Sequence, residues 1–463
     1  MAEPGSSRPT ANGAVKEPVQ KTHTEGSMKR QAPAPSRHFL DWVLKYQIPL
    51  SSSLMLFVIA LHAFSPQSRI YTRKFLQLSY PSNAEHTYTQ GLDDVYFVFA
   101  WVVTFTALRA FSIEHILQPL AGPLGVAPKN HLRFAEQGWL VLYYGYFWTL
   151  GMYLWYNSVY WLNNAEIWTA WPAREMSGLF KWYYLAQLAF WIQQILVIHI
   201  EKRRKDHAQM LTHHIITCTL ISITYVYRYT RAANVVLCLM DVVDLLLPIA
   251  KILRYLRHET ACNIAFGVFV VAWFIARHVM YLMLCYDIWV DVPGPRTMLF
   301  GCYNGATSEL IPDMPAHPDT FAHLLWPFQN LDGVICLNQE VKYIFLGMLL
   351  SLQTLSMIWF GMIVKLIAGM VVGGKVEDVR SDDEDEEEVD GREAAEGRRQ
   401  MNVTDLNVCV GGGDEMESMS VGLSKKQLPT QKPRVSVTSG RRRLGVTENS
   451  KELLNRIGCE KPI

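Results

Sequence analysis

Eight apolar runs follow one another between residues 48 and 367, and this constrains the chain more than any other feature. A hydrocarbon core about 30 Å thick takes roughly 20 residues of helix. Within it every backbone N–H and C=O must be satisfied inside the segment, which for runs of this kind means helix. The runs cover residues 48–64, 95–111, 138–162, 180–200, 210–225, 232–250, 264–286 and 344–364. The first is short, with Trp42 and Tyr46 beside it as interfacial anchors. After the second come Pro119, Pro123 and Pro128, which no helix is expected to cross undisturbed. The expected fold is an all-α polytopic membrane protein of about eight transmembrane helices.

Outside these runs the chain is polar. Residues 1–46 are rich in Pro, Ser, Lys and Arg and hold no signal-peptide core. They read as a disordered tail, with the first helix serving as the insertion signal. Residues 374–463 form a second tail, acidic over 377–388 and basic later, so the net charge of +1 hides a segregation. Nothing in this pattern suggests nucleic-acid binding. Eight crossings put both tails on one side, and Lys29, Arg30, Arg37, Lys45, Lys365 and Lys375 beside the outer runs assign that side to the cytosol. Of eight cysteines, Cys218, Cys238, Cys262 and Cys285 lie in or at the ends of apolar runs as small core residues. Cys302 and Cys336 share the one long loop assigned to the oxidising lumen, and a disulfide between them is expected. Ser381, followed by DDEDEEE, fits an acidophilic kinase, while the same run reads more plainly as a solvated acidic linker. Asn402 and Thr404 form a glycosylation signal that a cytosolic tail never presents to the lumenal enzyme.

The stretch EKRRKDHAQMLTHHIITCTL, residues 201–220, sets the basic patch Lys202, Arg203, Arg204 and Lys205 before a histidine pair, His213 and His214, that enters an apolar run. Thr217 is one turn beyond His213 on the same helix face. The next run buries Asp241 and Asp244 on one face. Both sets lie roughly 10 Å below the cytosolic surface at 1.5 Å per residue. A short connection makes the two helices antiparallel neighbours, so imidazoles and carboxylates can meet. Ionisable groups in hydrocarbon are costly and point at a cavity or a partner. A satisfied polar network fixing helix register is the plainer reading. The chemical one is an imidazole oriented by a carboxylate, serving as general base or nucleophile. Arg277 and His278 belong to the same cavity or partner a carboxylate, and Gln193 and Gln194 line the cavity or make interhelical hydrogen bonds. A phosphorylated carrier with a reactive end, such as acyl-CoA, could dock its phosphates on the patch and reach inward.

The run from Glu201 through His213 and His214 to Thr217, followed by Asp241 and Asp244 in MDVVD, resembles the Lag motif of ceramide synthases, members of the TLC-domain family. The resemblance extends over about residues 133–373, with the Lag motif at 201–251 and two further helices in 47–132. It implies six transmembrane helices bundled around a cavity. The implied enzyme is an endoplasmic reticulum N-acyltransferase that joins a fatty acyl group from acyl-CoA to dihydrosphingosine or phytosphingosine. By the same resemblance His213, His214, Asp241 and Asp244 are catalytic. No cofactor is implied, acyl-CoA being a substrate, while a small accessory subunit or a homo- or hetero-dimer is allowed. Residues 65–93 are too short for the homeobox-like segment of many animal members, which points to the fungal type. Two other classes share features with the chain. A metal-dependent membrane hydroxylase needs several histidine boxes, and this chain has one pair. A non-enzymatic lipid-binding or translocation factor of the TLC type could keep the bundle without the carboxylates.

Overall fold

A computed structural model describes residues 42–43, 45–82, 86–200, 206–294, 297–312, 314–315 and 321–372. The chain divides after residue 45, and the second unit carries every element below. Its long helices are α1 (Gln47–Phe64), α3 (Asp94–Ala121), α4 (His131–Tyr156), α5 (Gly178–Ile200), α6 (His207–Val226), α7 (Thr230–Tyr255), α8 (Glu259–Asp291) and α9 (Gln339–Val372). A short α2 (Arg69–Leu76) follows α1. Two small antiparallel ribbons lie between helices: β1 (Thr87–Tyr88) pairs with β2 (Met176–Ser177), and β3 (Gly301–Asn304) with β4 (Val334–Leu337).

Each apolar run falls on one of these helices, with two differences at the ends. The third was expected to reach Leu162, but α4 stops at Tyr156, where Asn157 donates to the Tyr153 carbonyl at 2.8 Å and Ser158 to that of Trp155 at 2.6 Å. These side chains satisfy last-turn carbonyls that the helix leaves open. The second was expected to end at Phe111, yet α3 continues through a π-helical turn, Ser112–Leu117, and carries Pro119 in its final turn. The wider turn stands just before the proline, whose missing N–H removes one helical donor, and Gln118 N–H there bonds the Ile113 carbonyl.

By length and composition α1, α3, α8 and α9 can each cross a membrane. Their apolar side chains are widely exposed, among them Leu54, Leu56 and Phe57 on α1 and Ile264, Val268 and Val271 on α8. The four between them, α4 to α7, carry Lys181, Gln187, His213, His214, Asp241 and Asp244 inside their apolar runs, and α7 packs on α4 and α8 while α5 packs on α3 and α6. Residues Ala232 to Asp241 of α7 are buried on every face, as a helix at the centre of a bundle must be.

The turn joining α6 to α7 is clamped from outside. Buried Arg228 donates to the carbonyls of Gly305 at 2.6 Å and Leu331 at 2.8 Å, tying the turn to the loop before α9. Desolvation pulls its guanidinium down to about 10. In that loop Cys302 faces Cys336 across β3 and β4, and the two are joined by a disulfide.

Candidate active site

His213 and His214 are adjacent on α6, so a helix turns their rings by about 100° from one another. The rings stand 5.4 Å apart at 88°, and both are buried. Trp191 on α5 packs against the two of them, at 5.6 Å from His213 and 5.3 Å from His214, and Trp359 on α9 closes on His213 at 5.1 Å. His214 Nδ1 lies 2.7 Å from the Met210 carbonyl. A carbonyl only accepts, so Nδ1 carries the proton and the Nε2 lone pair of a neutral ring is left for another donor. His213 Nδ1 is buried without a hydrogen-bond partner.

The two aspartates part company. Asp244 pairs with Arg277 at 2.8 Å; Arg277 also donates to the Met240 carbonyl at 2.9 Å and lies over the Trp273 ring, 4.2 Å from its centre. Asp241 is fully buried and accepts from Gln187 Nε2 at 2.7 Å, while Gln187 Oε1 accepts from Tyr143 at 2.7 Å. The expectation that a carboxylate holds an imidazole is corrected here: among the described contacts neither histidine bonds an aspartate. Three residues of helix place Asp241 and Asp244 on the same side, but the 60° between them is enough to send one toward α5 and the other toward α8.

Two cavities meet at these residues. A polar one of about 280 Å³ is lined by His213, His214, Asp244, Arg277 and Gln194, with Arg109, Glu136, Asp206, His207 and Lys251 toward its outer end. An apolar one of about 60 Å³ runs the other way past Thr217, with Met240, Leu237, Val236 and Ala233 of α7 along its wall. Val292, Met298 and Leu337 line its far end. His213 and Trp191 line both. From Met240 to Tyr229 the apolar wall extends roughly 16 Å at 1.5 Å per residue.

Of the expected residues, His213, His214, Asp244, Arg277 and Gln194 therefore share one cavity, Thr217 belongs to the second, and Asp241 lines neither. Lys202, Arg203, Arg204 and Lys205 lie outside the described residues, as do Ser381 and Asn402. Ile198, before the patch, and Asp206, after it, both line the polar cavity. Trp191, Trp359, Gln187 and Tyr143 escaped sequence reasoning. An aromatic ring in an apolar helix carries no signal of which cavity it faces, and Gln187 was distinguishable only as one more amide in a membrane run.

A family model described as the TLC domain matches residues 133–365. A sphingosine N-acyltransferase-like protein of Alternaria alternata is 43% identical over 76% of this chain and 78% of its own length. A ceramide synthase of Gibberella moniliformis is 40% identical over 76% of this chain and 83% of its own. A sphingosine N-acyltransferase of Schizosaccharomyces pombe is 37% identical over 70% and 76%. The matched domain begins at the start of α4 and ends within α9, so it encloses the histidine pair, both aspartates, the apolar cavity and all of the polar cavity's lining but Arg109. The chain belongs to the TLC-domain family, in the branch of the fungal ceramide synthases.

Proposed function

We propose that this protein is a ceramide synthase, transferring a fatty acyl group from acyl-CoA to the amine of a sphingoid base and releasing CoA. The observation that carries the reading is the meeting of a polar and an apolar cavity at His213. An acyl thioester has the same two-part character, and this arrangement seats its carbonyl at the junction. The acyl chain enters along Thr217, Val236 and Met240, Lys251 and the basic residues Lys202, Arg203, Arg204 and Lys205 hold the phosphates of CoA, and Arg277 and Asp244 flank the reacting end.

His214, with Nδ1–H committed to the Met210 carbonyl, is the general base through Nε2. The amine lone pair attacks the thioester carbon, the C–S bond breaks, the amine proton passes to His214, and from there it goes to the departing thiolate. His213 touches the acyl carbonyl, and an acyl group trapped on the protein by acyl-CoA alone makes it the first acceptor. The apolar walls exclude the water that would otherwise hydrolyse the thioester. Asp241 acts as a positioning residue, joining α4, α5 and α7 through Tyr143 and Gln187.

The same reading places all eight long helices across the endoplasmic reticulum membrane, with both tails and the polar cavity on the cytosolic side, where acyl-CoA is found. The more polar α4 to α7 cross it shielded by one another and by the four apolar helices. Purified protein given acyl-CoA and dihydrosphingosine is expected to release CoA and form the N-acyl product. His213→Ala is expected to lower kcat by about 10²- to 10⁴-fold with an unchanged melting profile. A wild-type protein that binds the base without forming product is instead a lipid-binding factor, and a fully active His213→Ala removes the histidine from the mechanism.

A further inference from the structure

Next to Arg277 is a group of polar side chains that the reaction above does not use. His278 on α8 and Gln353 on α9 contact each other at 2.9 Å between Nδ1 and Nε2. Both are buried, at 8% and 5% exposure, and Ser356 at 1%. Each has a buried polar atom with no hydrogen-bond partner among the described protein groups: His278 Nε2, Gln353 Oε1 and Ser356 Oγ. Buried polar atoms are almost always bonded, and leaving one unmet is expensive. Three in one place indicate a ligand with several hydroxyl or amine groups.

The three converge by helical register. Gln353, Ser356 and Phe360 are three and four residues apart, so they share a face of α9. His278 bonds Gln353 and packs against Phe360 at 4.8 Å, which brings Ser356 within the stretch of α9 that His278 spans. Ser356 also lies between Leu352, which lines the apolar cavity, and Trp359, which lines the polar one and touches His213. The cluster therefore adjoins residues that line the two cavities, although His278, Gln353 and Ser356 themselves line neither. On its other side Phe274 packs on His278 at 6.1 Å and on Phe360 at 6.1 Å, and Phe274 is itself 50% exposed on the apolar surface of the bundle. A membrane-borne amphiphile passing between α8 and α9 meets these rings first and the polar groups next. At this level α8 makes a π-helical turn, Phe274–Met280, and there Arg277 and His278 are both buried although adjacent in sequence. Widened turns of this kind recur at functional sites.

We propose that His278, Gln353 and Ser356 form the subsite for the hydroxyl groups of the sphingoid base, which enters from the bilayer between α8 and α9 and points its amine at His213 and His214. The proposal rests on the acyltransferase reading. It concerns only the second substrate, since acyl-CoA occupies the two cavities already described.

The test is a kinetic cycle on the full-length protein in detergent, with dihydrosphingosine and an analogue lacking its 1-hydroxyl as alternative acceptors. Ser356→Ala and Gln353→Leu are each expected to raise KM for dihydrosphingosine about tenfold, the loss of one hydrogen bond. KM for acyl-CoA and the melting profile should stay as in the wild type. At least one variant should also erase the wild-type preference for dihydrosphingosine over the analogue, because the missing partner cannot be lost twice. The subsite is overturned if both variants keep KM for the base within about twofold of wild type. It is equally overturned if KM for acyl-CoA rises in step, or if both variants retain the preference between the two acceptors. A wild-type protein that makes no ceramide fails the functional reading instead. In that case equilibrium binding of radiolabelled dihydrosphingosine to wild type and to Ser356→Ala decides the subsite alone, equal affinities overturning it.

Discussion

Arg277 has its charge answered on three sides: the Asp244 carboxylate, the Met240 carbonyl and the face of Trp273. It is 2% exposed as a side chain and Asp244 is 28% exposed, so the pair sits at the wall of the polar cavity, away from bulk water. Removing one partner of such a pair strands the other. Arg277→Leu is expected to destabilise the protein by about 3 kcal/mol, with Asp244→Asn/Arg277→Leu recovering part of the loss. Thermal denaturation of the single and double variants measures this, and a double variant no more stable than Arg277→Leu shows that the two charges are not coupled. At this scale the residue types at the site were legible, because His and Asp in membrane runs stand out. Arg277 as the partner of a carboxylate was legible too, but the partner of Asp241 was not, since whether it reaches His213 or Gln187 depends on how α7 is rotated about its axis.

The elements show a division of labour. The four apolar helices are plain in sequence, and α4 to α7 trade hydropathy for polar groups that must then be packed inward. The loop between α8 and α9 is an element of the site as well, for Leu337, next to Cys336, lines the far end of the apolar cavity. Its disulfide joins two cysteines 34 residues apart in sequence, closing a loop for which chain-entropy arguments give about 3 to 4 kcal/mol. Cys336→Ser is expected to lower the melting temperature and to leave Cys302 open to a maleimide in denatured, unreduced protein, where the wild type labels at neither position. Labelling of both cysteines in unreduced wild type contradicts the bond.

In the whole molecule the first helices, which precede the TLC domain, are held to it by a buried ion pair. Lys181 of α5 reaches Asp94 at the start of α3 at 2.8 Å, with both side chains almost wholly buried. Its other donors go to the carbonyls of Ser79 at 2.8 Å and Thr89 at 2.7 Å, which uses all three hydrogens of the ammonium. The second carboxylate oxygen of Asp94 accepts from Tyr225 of α6 at 2.7 Å and from the Gly91 amide at 3.0 Å. One carboxylate thus ties α3 to two helices of the TLC domain. Asp94→Ala leaves a buried ammonium unpaired and is expected to cost about 3 to 5 kcal/mol. Asp94→Leu/Lys181→Met should recover much of it. Detergent-solubilised melting curves for both variants are the measurement; a stable Asp94→Ala contradicts the clamp.

Hydropathy and its interruptions determined by themselves that this chain is a helical membrane protein, and roughly where each helix lies, because in hydrocarbon the backbone has no other way to satisfy its own hydrogen bonds. The Lag-type residues likewise pointed to a candidate site, charged and titratable groups being too costly in such helices to pass unnoticed. What the tertiary structure alone decided is which groups face one another. Asp241 belongs to Tyr143 and Gln187, Asp244 to Arg277, and His213 to the point where a polar cavity gives way to an apolar one. These pairings depend on how each helix is rotated about its axis, and the rotation is fixed by packing against several neighbours at once, distant from it in sequence.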